Sequence, residues 1–158
     1  MIRDIDERGI PMFGACFGHQ AIAVALGGRV SQNADGWVHG YVETEAISAL
    51  PWLETPKRTG LYASHIEQVS ELPKGARAVV RGPGCPIGGF IKGQSIFTTQ
   101  YHPEMSDDFI ADLVEFTEDY VGAEVTAKAR ASLSNRADRD MAGKQIVTFF
   151  EWASGQPT

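Results

Sequence analysis

The segment Gly14-Ala-Cys16-Phe-Gly18-His-Gln20 constrains this chain more than any other. Before it, Ile10 to Gly14 is a short apolar run that reads as a buried strand. After it, the Ala-rich stretch Ala21 to Leu26, closed by Gly27-Gly28, reads as a helix. A strand that enters a helix through a turn with a glycine on each side of a thiol has the form of a nucleophile elbow. The glycines permit the tight turn and leave room for a reactant. The side chain at the apex is pushed outward, and the helix N-terminus is expected to lower the Cys16 pKa. The amide of Phe17, next after the thiol, is a natural oxyanion donor. A lone cysteine is more commonly a small buried hydrophobe. The flanking glycines and His19-Gln20 favour the elbow over that reading.

A thiol nucleophile needs a base, and the base needs an orienting partner. Gln100-Tyr-His102-Pro-Glu104 offers both at the end of a strand candidate, Ser95 to His102. Pro103 stiffens the turn between the two side chains. Triads are recognised by roles rather than by chain order, so Cys16, His102 and Glu104 are the candidate catalytic residues.

The rest of the chain supplies a scaffold. Tyr41 to Ile47, Leu61 to His65, Ala76 to Arg81 and Gly89 to Ile91 are further strand candidates, separated by Pro and Gly clusters. From Ser106 the period becomes helical, with Phe109, Leu113, Phe116 and Tyr120 recurring between acidic residues. Ser106 followed by Asp107 and Asp108 is a good N-cap with a first turn that suits the helix dipole. Val125 to Leu133 and Met141 to Trp152 read as two more helices, with Lys128, Arg130, Arg136, Arg139 and Lys144 on a solvated face. His39 reads as an exposed strand residue and Cys85 as an inert turn thiol. The predicted fold is α/β and doubly wound, with a mainly parallel sheet, helices on both faces and the chemistry at the carboxyl ends of the strands.

A length of 158 residues fits one domain, here a core over 9–122 and a helical tail over 123–158. A net charge of −6 lacks the cationic footprint of a nucleic-acid binder. No apolar stretch approaches the roughly 20 residues of a membrane span, so neither nucleic acid nor membrane is an expected partner. Two cysteines imply no disulfide framework and a reducing, cytoplasmic location. Ile2 and Ile5 read as the last turns of a helix stopped by Gly9, with no strand before it. The chain is therefore expected to begin inside a strand–helix–strand unit, its N-terminal part missing.

On these motifs the sequence resembles the class I (triad-type) glutamine amidotransferases, and looks closest to stand-alone members similar to the amidotransferase domain of GMP synthase. That family carries G-x-C-x-G-H-Q at its nucleophile and Q-x-H-P-E at its His–Glu pair, and both stand here in full. Ala63-Ser-His65-Ile-Glu-Gln-Val69 resembles the family's S-H-x-D-x-V block, with Glu67 where Asp is usual. The resemblance covers most of residues 9–104. It implies that Cys16 attacks the carboxamide carbon of glutamine, that His102 shuttles the proton and that Glu104 orients it. It further implies a γ-glutamyl thioester, ammonia delivered to a separate synthetase subunit, and Gln20, Ser64 and His65 on the amino-acid end of the substrate. A Gly-rich loop ahead of the elbow supplies the family's second oxyanion amide, and the chain has no counterpart to that segment.

Other readings use the same residues. Cys16, His19, His65 and His102 are zinc-ligand types, but Cys-x-x-His in a glycine elbow lacks the second ligand pair of a structural site. Neither a metal nor a cofactor is expected. A redox thiol would want a resolving partner, and there is no Cys-x-x-Cys. A hydrolase acting on other γ-glutamyl amides would use the same triad. The non-enzyme alternative is a catalytically weak fragment that binds a partner.

Overall fold

The computed structural model describes residues 1–155. In chain order the elements are α1 (Ile2–Glu7), β1 (Met12–Ala15), α2 (Phe17–Ala25), β2 (Arg29–Gln32), β3 (Val38–Ala46), β4 (Arg58–His65) and β5 (Glu67–Glu71). They continue with β6 (Ala76–Gly82), β7 (Cys85–Lys92), β8 (Ile96–Thr99), α3 (Asp107–Phe116), α4 (Glu118–Val121), α5 (Ala123–Ser132) and α6 (Arg139–Ser154). Six strands form one sheet in the order β1-β8-β7-β6-β3-β4, and β2 pairs with β5 in a separate ribbon.

The α/β class holds, but the expected mainly parallel sheet does not. Among the described residues only β1 and β8 run parallel; β8·β7, β7·β6, β6·β3 and β3·β4 are all antiparallel. The connections explain this. A parallel pair needs a long crossover, whereas β6–β7 and β7–β8 are joined by tight turns at Pro83-Gly84 and Gly93-Gln94 that can only reverse the chain. The one parallel pair carries the elbow.

Alternation along the three strands on the β1 side builds two cores. Ile96 and Phe90 face α2 and Val69, with Met12 against them. Their neighbours Phe97 and Ile91 face the opposite side, where Phe13, Trp52 and the buried Phe149 of α6 meet them. A period of two sends adjacent side chains to opposite faces, so helices cover both sides of the sheet. Each such large apolar side chain, fully buried, contributes about 1.5–3 kcal/mol.

The third helix is capped as its sequence suggests, with Ser106 Oγ accepting from the Phe109 N–H at 3.1 Å. Its packed face is different from the expected one. Ile110 and Val114 are buried, with Leu113, against Tyr62 and Ala129. Phe109, Phe116 and Tyr120 remain exposed, at 53%, 86% and 76%. Phe116 and Tyr120 share a helical period with Leu113, but α3 ends at Phe116 before that stripe can meet the sheet. The two short strands β2 and β5 were not legible as strands. Each carries a lone Val among polar residues, Val30 between Arg29 and Ser31 and Val69 between Gln68 and Ser70, so no apolar alternation marks them.

Candidate active site

β1 and β8 lie side by side and end together, with Ala15 opposite Thr99. The Cys16 N–H extends this ladder by donating to the Thr99 carbonyl at 2.8 Å, and the Cys16 carbonyl accepts from the Gln20 N–H at 3.1 Å. Between those two bonds the backbone turns from strand into helix within one residue. Cys16 takes φ 47° and ψ −106°, and is the only non-glycine residue with positive φ among those described. Such a conformation costs on the order of 1–3 kcal/mol and persists only where the surroundings hold it. Here the ladder and the first turn of α2 do so.

The two glycines of the elbow serve different purposes. A Cβ on Gly14 would lie 2.7 Å from the Gly18 carbonyl carbon and 2.6 Å from Ile22 Cδ1, so close backbone approach requires glycine there. A Cβ on Gly18 would meet nothing within 4 Å. Phe17, between them, is 78% exposed, and its backbone N–H acts to lower the Cys16 pKa.

The thiol pKa runs against the sequence expectation. Burial pushes it above the usual thiol value, opposed by the Phe17 N–H; the Glu104 charge adds to the rise, the Gln100 amide opposes it, and Glu67 adds a further small increase. The short reach of the helix N-terminus does not offset desolvation. At neutral pH the resting group is a thiol, which needs a base at the moment of attack.

The candidate base is positioned by local sequence. His102 Nδ1 lies 2.6 Å from Glu104 Oε1. A carboxylate can only accept, so Nδ1 carries a proton, which in the neutral ring leaves the lone pair on Nε2. Nε2 is buried and has no hydrogen-bond partner among the described residues. The backbone of His102 is tied to β4 through its N–H, which donates to the Tyr62 carbonyl at 2.9 Å.

The remaining site candidates lie around this pair. Gln20 Nε2 donates to the Glu67 carbonyl at 2.7 Å. His65, 4% exposed, places Nδ1 3.1 Å from the same carbonyl and leaves Nε2 unpartnered. Burial lowers the His65 pKa to about 4, helped slightly by the nearby His102. Ser64 is half-buried on β4, opposite His39 of β3. His19 packs beneath the elbow, fully buried, with Nδ1 2.8 Å from Thr98 Oγ1, and burial takes its pKa to about 3. Among the described residues no three His, Cys, Asp or Glu side chains are grouped to hold a metal ion, and no helix is long and apolar enough to cross a membrane.

Two expectations for single residues are corrected. His39 is buried, at 8% exposure, because α3 and α5 cover β3; its Nε2 lies 3.2 Å from Thr117 Oγ1. Cys85 opens β7 and is 1% exposed, with burial raising its pKa to about 11. The residue with a contact to the nucleophile that sequence reasoning left without a role is Gln100, whose Nε2 lies 3.6 Å from Cys16 Sγ. Its place two residues before His102 in the Gln-x-His-Pro-Glu motif was the available signal.

A strained thiol at a strand-to-helix turn, with a His–Glu pair in the segment that follows the adjacent parallel strand, defines an α/β protein with a nucleophile-elbow site. The family model for glutamine amidotransferase class-I matches residues 1–108, and the chain belongs to that family. Similar curated proteins include the GMP synthase [glutamine-hydrolyzing] of Herminiimonas arsenicoxydans, 34% identical over 110 residues, which are 63% of this chain and 20% of that protein. That of Clostridium novyi is 31% identical over 105 residues, 65% of this chain and 20% of that protein. The chain thus spans about a fifth of the length of these relatives. Among solved structures, a glutamine amidotransferase from Thermotoga maritima superposes with a TM-score of 0.75 at 25% identity, covering 98% of this chain and 67% of that one. A glutamine amido transferase from Methylobacillus flagellatus shares the fold, with a TM-score of 0.66 at 24% identity over 96% of this chain and 62% of that one.

Proposed function

We propose that the chain hydrolyses the side-chain amide of glutamine through a Cys16–His102–Glu104 triad. The observation that carries this reading is the strained Cys16 apex, held at the end of the strand paired to the one that leads into His102 and Glu104. As Cys16 Sγ bonds to the carboxamide carbon, its proton passes to the free lone pair of His102 Nε2. The imidazolium that forms is stabilised by Glu104, which also holds the ring in its tautomer. Charge on the carbonyl oxygen falls to the Phe17 N–H. The C–N bond then breaks as His102 returns the proton to nitrogen, releasing ammonia and leaving a γ-glutamyl thioester. Water adds to the thioester with His102 again as base, and glutamate and the thiol are regenerated.

Gln20, Ser64 and His65 are proposed to hold the amino-acid end of glutamine. The name of these relatives, GMP synthase, supports a synthetase as the ammonia acceptor. The test is ammonia release from glutamine by the wild-type chain and by Cys16→Ala, together with labelling by a glutamine-analogue electrophile. The expected result is turnover and labelling in the wild type, with both lost in the variant. Equal ammonia release by Cys16→Ala overturns the reading, and preferential release of larger amines from γ-glutamyl amides redirects it to a different substrate.

A further inference from the structure

A chain of amides runs from the main chain of β5 to the sulfur of Cys16. It begins at the Glu67 carbonyl, which lies 2.7 Å from the Gln20 amide nitrogen. A carbonyl oxygen only accepts, so the end of the Gln20 amide that faces it is the NH2 group. The same NH2 group lies 3.2 Å from the Gln100 side chain. Two N–H groups cannot bond to each other, so Gln100 must turn its Oε1 toward Gln20. That choice directs Gln100 Nε2 at Cys16 Sγ, 3.6 Å away. One main-chain oxygen thereby sets the orientation of two amides, each of which could otherwise flip.

The far member is rigid. Gln100 is fully buried, and its own backbone N–H donates to the Gly88 carbonyl at 2.8 Å. Its side-chain N–H therefore has no solvent alternative, and leaving a buried donor without a partner is costly.

We propose that Gln100 is a positioning residue for the nucleophile: the Glu67 carbonyl, acting through Gln20, holds a Gln100 N–H on Cys16 Sγ. This rests on the reading of Cys16 as the nucleophile. The bond keeps the sulfur in one orientation and stabilises it as negative charge gathers there. It acts together with the Phe17 N–H, against burial and against the carboxylates of Glu104 and Glu67. A consequence follows for Gln20. Both of its N–H groups are committed to protein acceptors, so a ligand meets Gln20 only through Oε1 and must bring a donor, such as an ammonium.

The test is the pH profile of Cys16 alkylation by iodoacetamide, followed by peptide mass spectrometry on the full chain. Wild type is compared with Gln100→Met and with Gln20→Met, which removes the group that orients Gln100. Both profiles are expected to move to higher pH, with alkylation at pH 8 about tenfold slower. A packing defect alone changes the rate by one factor at every pH and leaves the profile in place. If Gln100→Met does not fold, Gln20→Met decides. Profiles that superimpose on wild type overturn the relay even while the wild type hydrolyses glutamine. Displaced profiles in a chain without glutamine hydrolysis sustain the relay and overturn the catalytic reading instead.

Discussion

His102 Nδ1 and Glu104 Oε1 are 2.6 Å apart, joined across the single residue Pro103. Glu104 is 60% exposed at its side chain, so the pair adds little to stability once solvent screens it. Its effect falls on the tautomer of His102 instead. Glu104→Gln is expected to leave the melting temperature nearly unchanged and to lower kcat for glutamine hydrolysis by about 10²-fold or more. A loss of stability without a loss of kcat would refute the orienting role.

The two thiols should differ in rate and share a direction. Both pKa values are raised by burial, that of Cys85 to about 11. Alkylation of the free protein should therefore climb with pH past neutrality rather than level off at pH 7, because only the thiolate reacts. Cys16 is half-buried and Cys85 is 1% exposed, so Cys16 should be modified first throughout. Peptide mapping across pH 7–10 measures this, and a plateau for Cys16 near pH 7 would contradict it.

The elbow glycines offer a paired comparison. Gly14→Ala places a methyl 2.7 Å from the Gly18 carbonyl carbon, and neither segment can retreat without breaking the turn. Overpacking of this kind costs about 1–3 kcal/mol, and the displaced Cys16 should lose most of its activity. Gly18→Ala meets nothing within 4 Å. It should fold as well as wild type or better by up to about 1 kcal/mol, since alanine favours a helix. With nothing displaced around it, Cys16 should keep most of its activity. Denaturant melts with steady-state kinetics separate the two effects.

Acid should destabilise the fold before the carboxylates titrate. His19 and His65 are buried as neutral rings, with pKa values lowered from 6.5 to about 3 and about 4. A lowered native pKa contributes stability above pH 6.5 that is lost progressively as pH falls through that window toward 4. Thermal melts from pH 7.5 to 4.5 should show this decline, and it should be shallower in His65→Gln. An identical slope in the variant would mean that His65 is not held neutral by the fold.

The helix α6 is anchored by one aromatic cluster. Phe149 is fully buried and stacks against Trp52 and Phe97 at 5.0 and 5.7 Å, while Trp52 Nε1 donates to the Gln145 carbonyl. Phe149→Ala should cost about 3–5 kcal/mol, read from the denaturant midpoint. A change below about 1 kcal/mol would mean that α6 does not hold this face of the sheet.

Residues close in sequence carried the local features unaided. Gly14 and Gly18 around Cys16 specify the elbow, Ser106 caps α3, and His102 and Glu104 meet because only Pro103 separates them. Each depends on backbone sterics and short-range hydrogen bonds that neighbours settle among themselves. Only the tertiary structure decided the rest. Strand pairing made the sheet largely antiparallel and set Gln100 beside Cys16, 84 residues earlier. It also chose Ile110 and Val114 over Phe116 as the buried face of α3, and closed α3 and α5 over His39. The Cys16 pKa turned on desolvation, which depends on everything packed around the thiol, and that outweighed the local helix N-terminus from which a lowered value was expected.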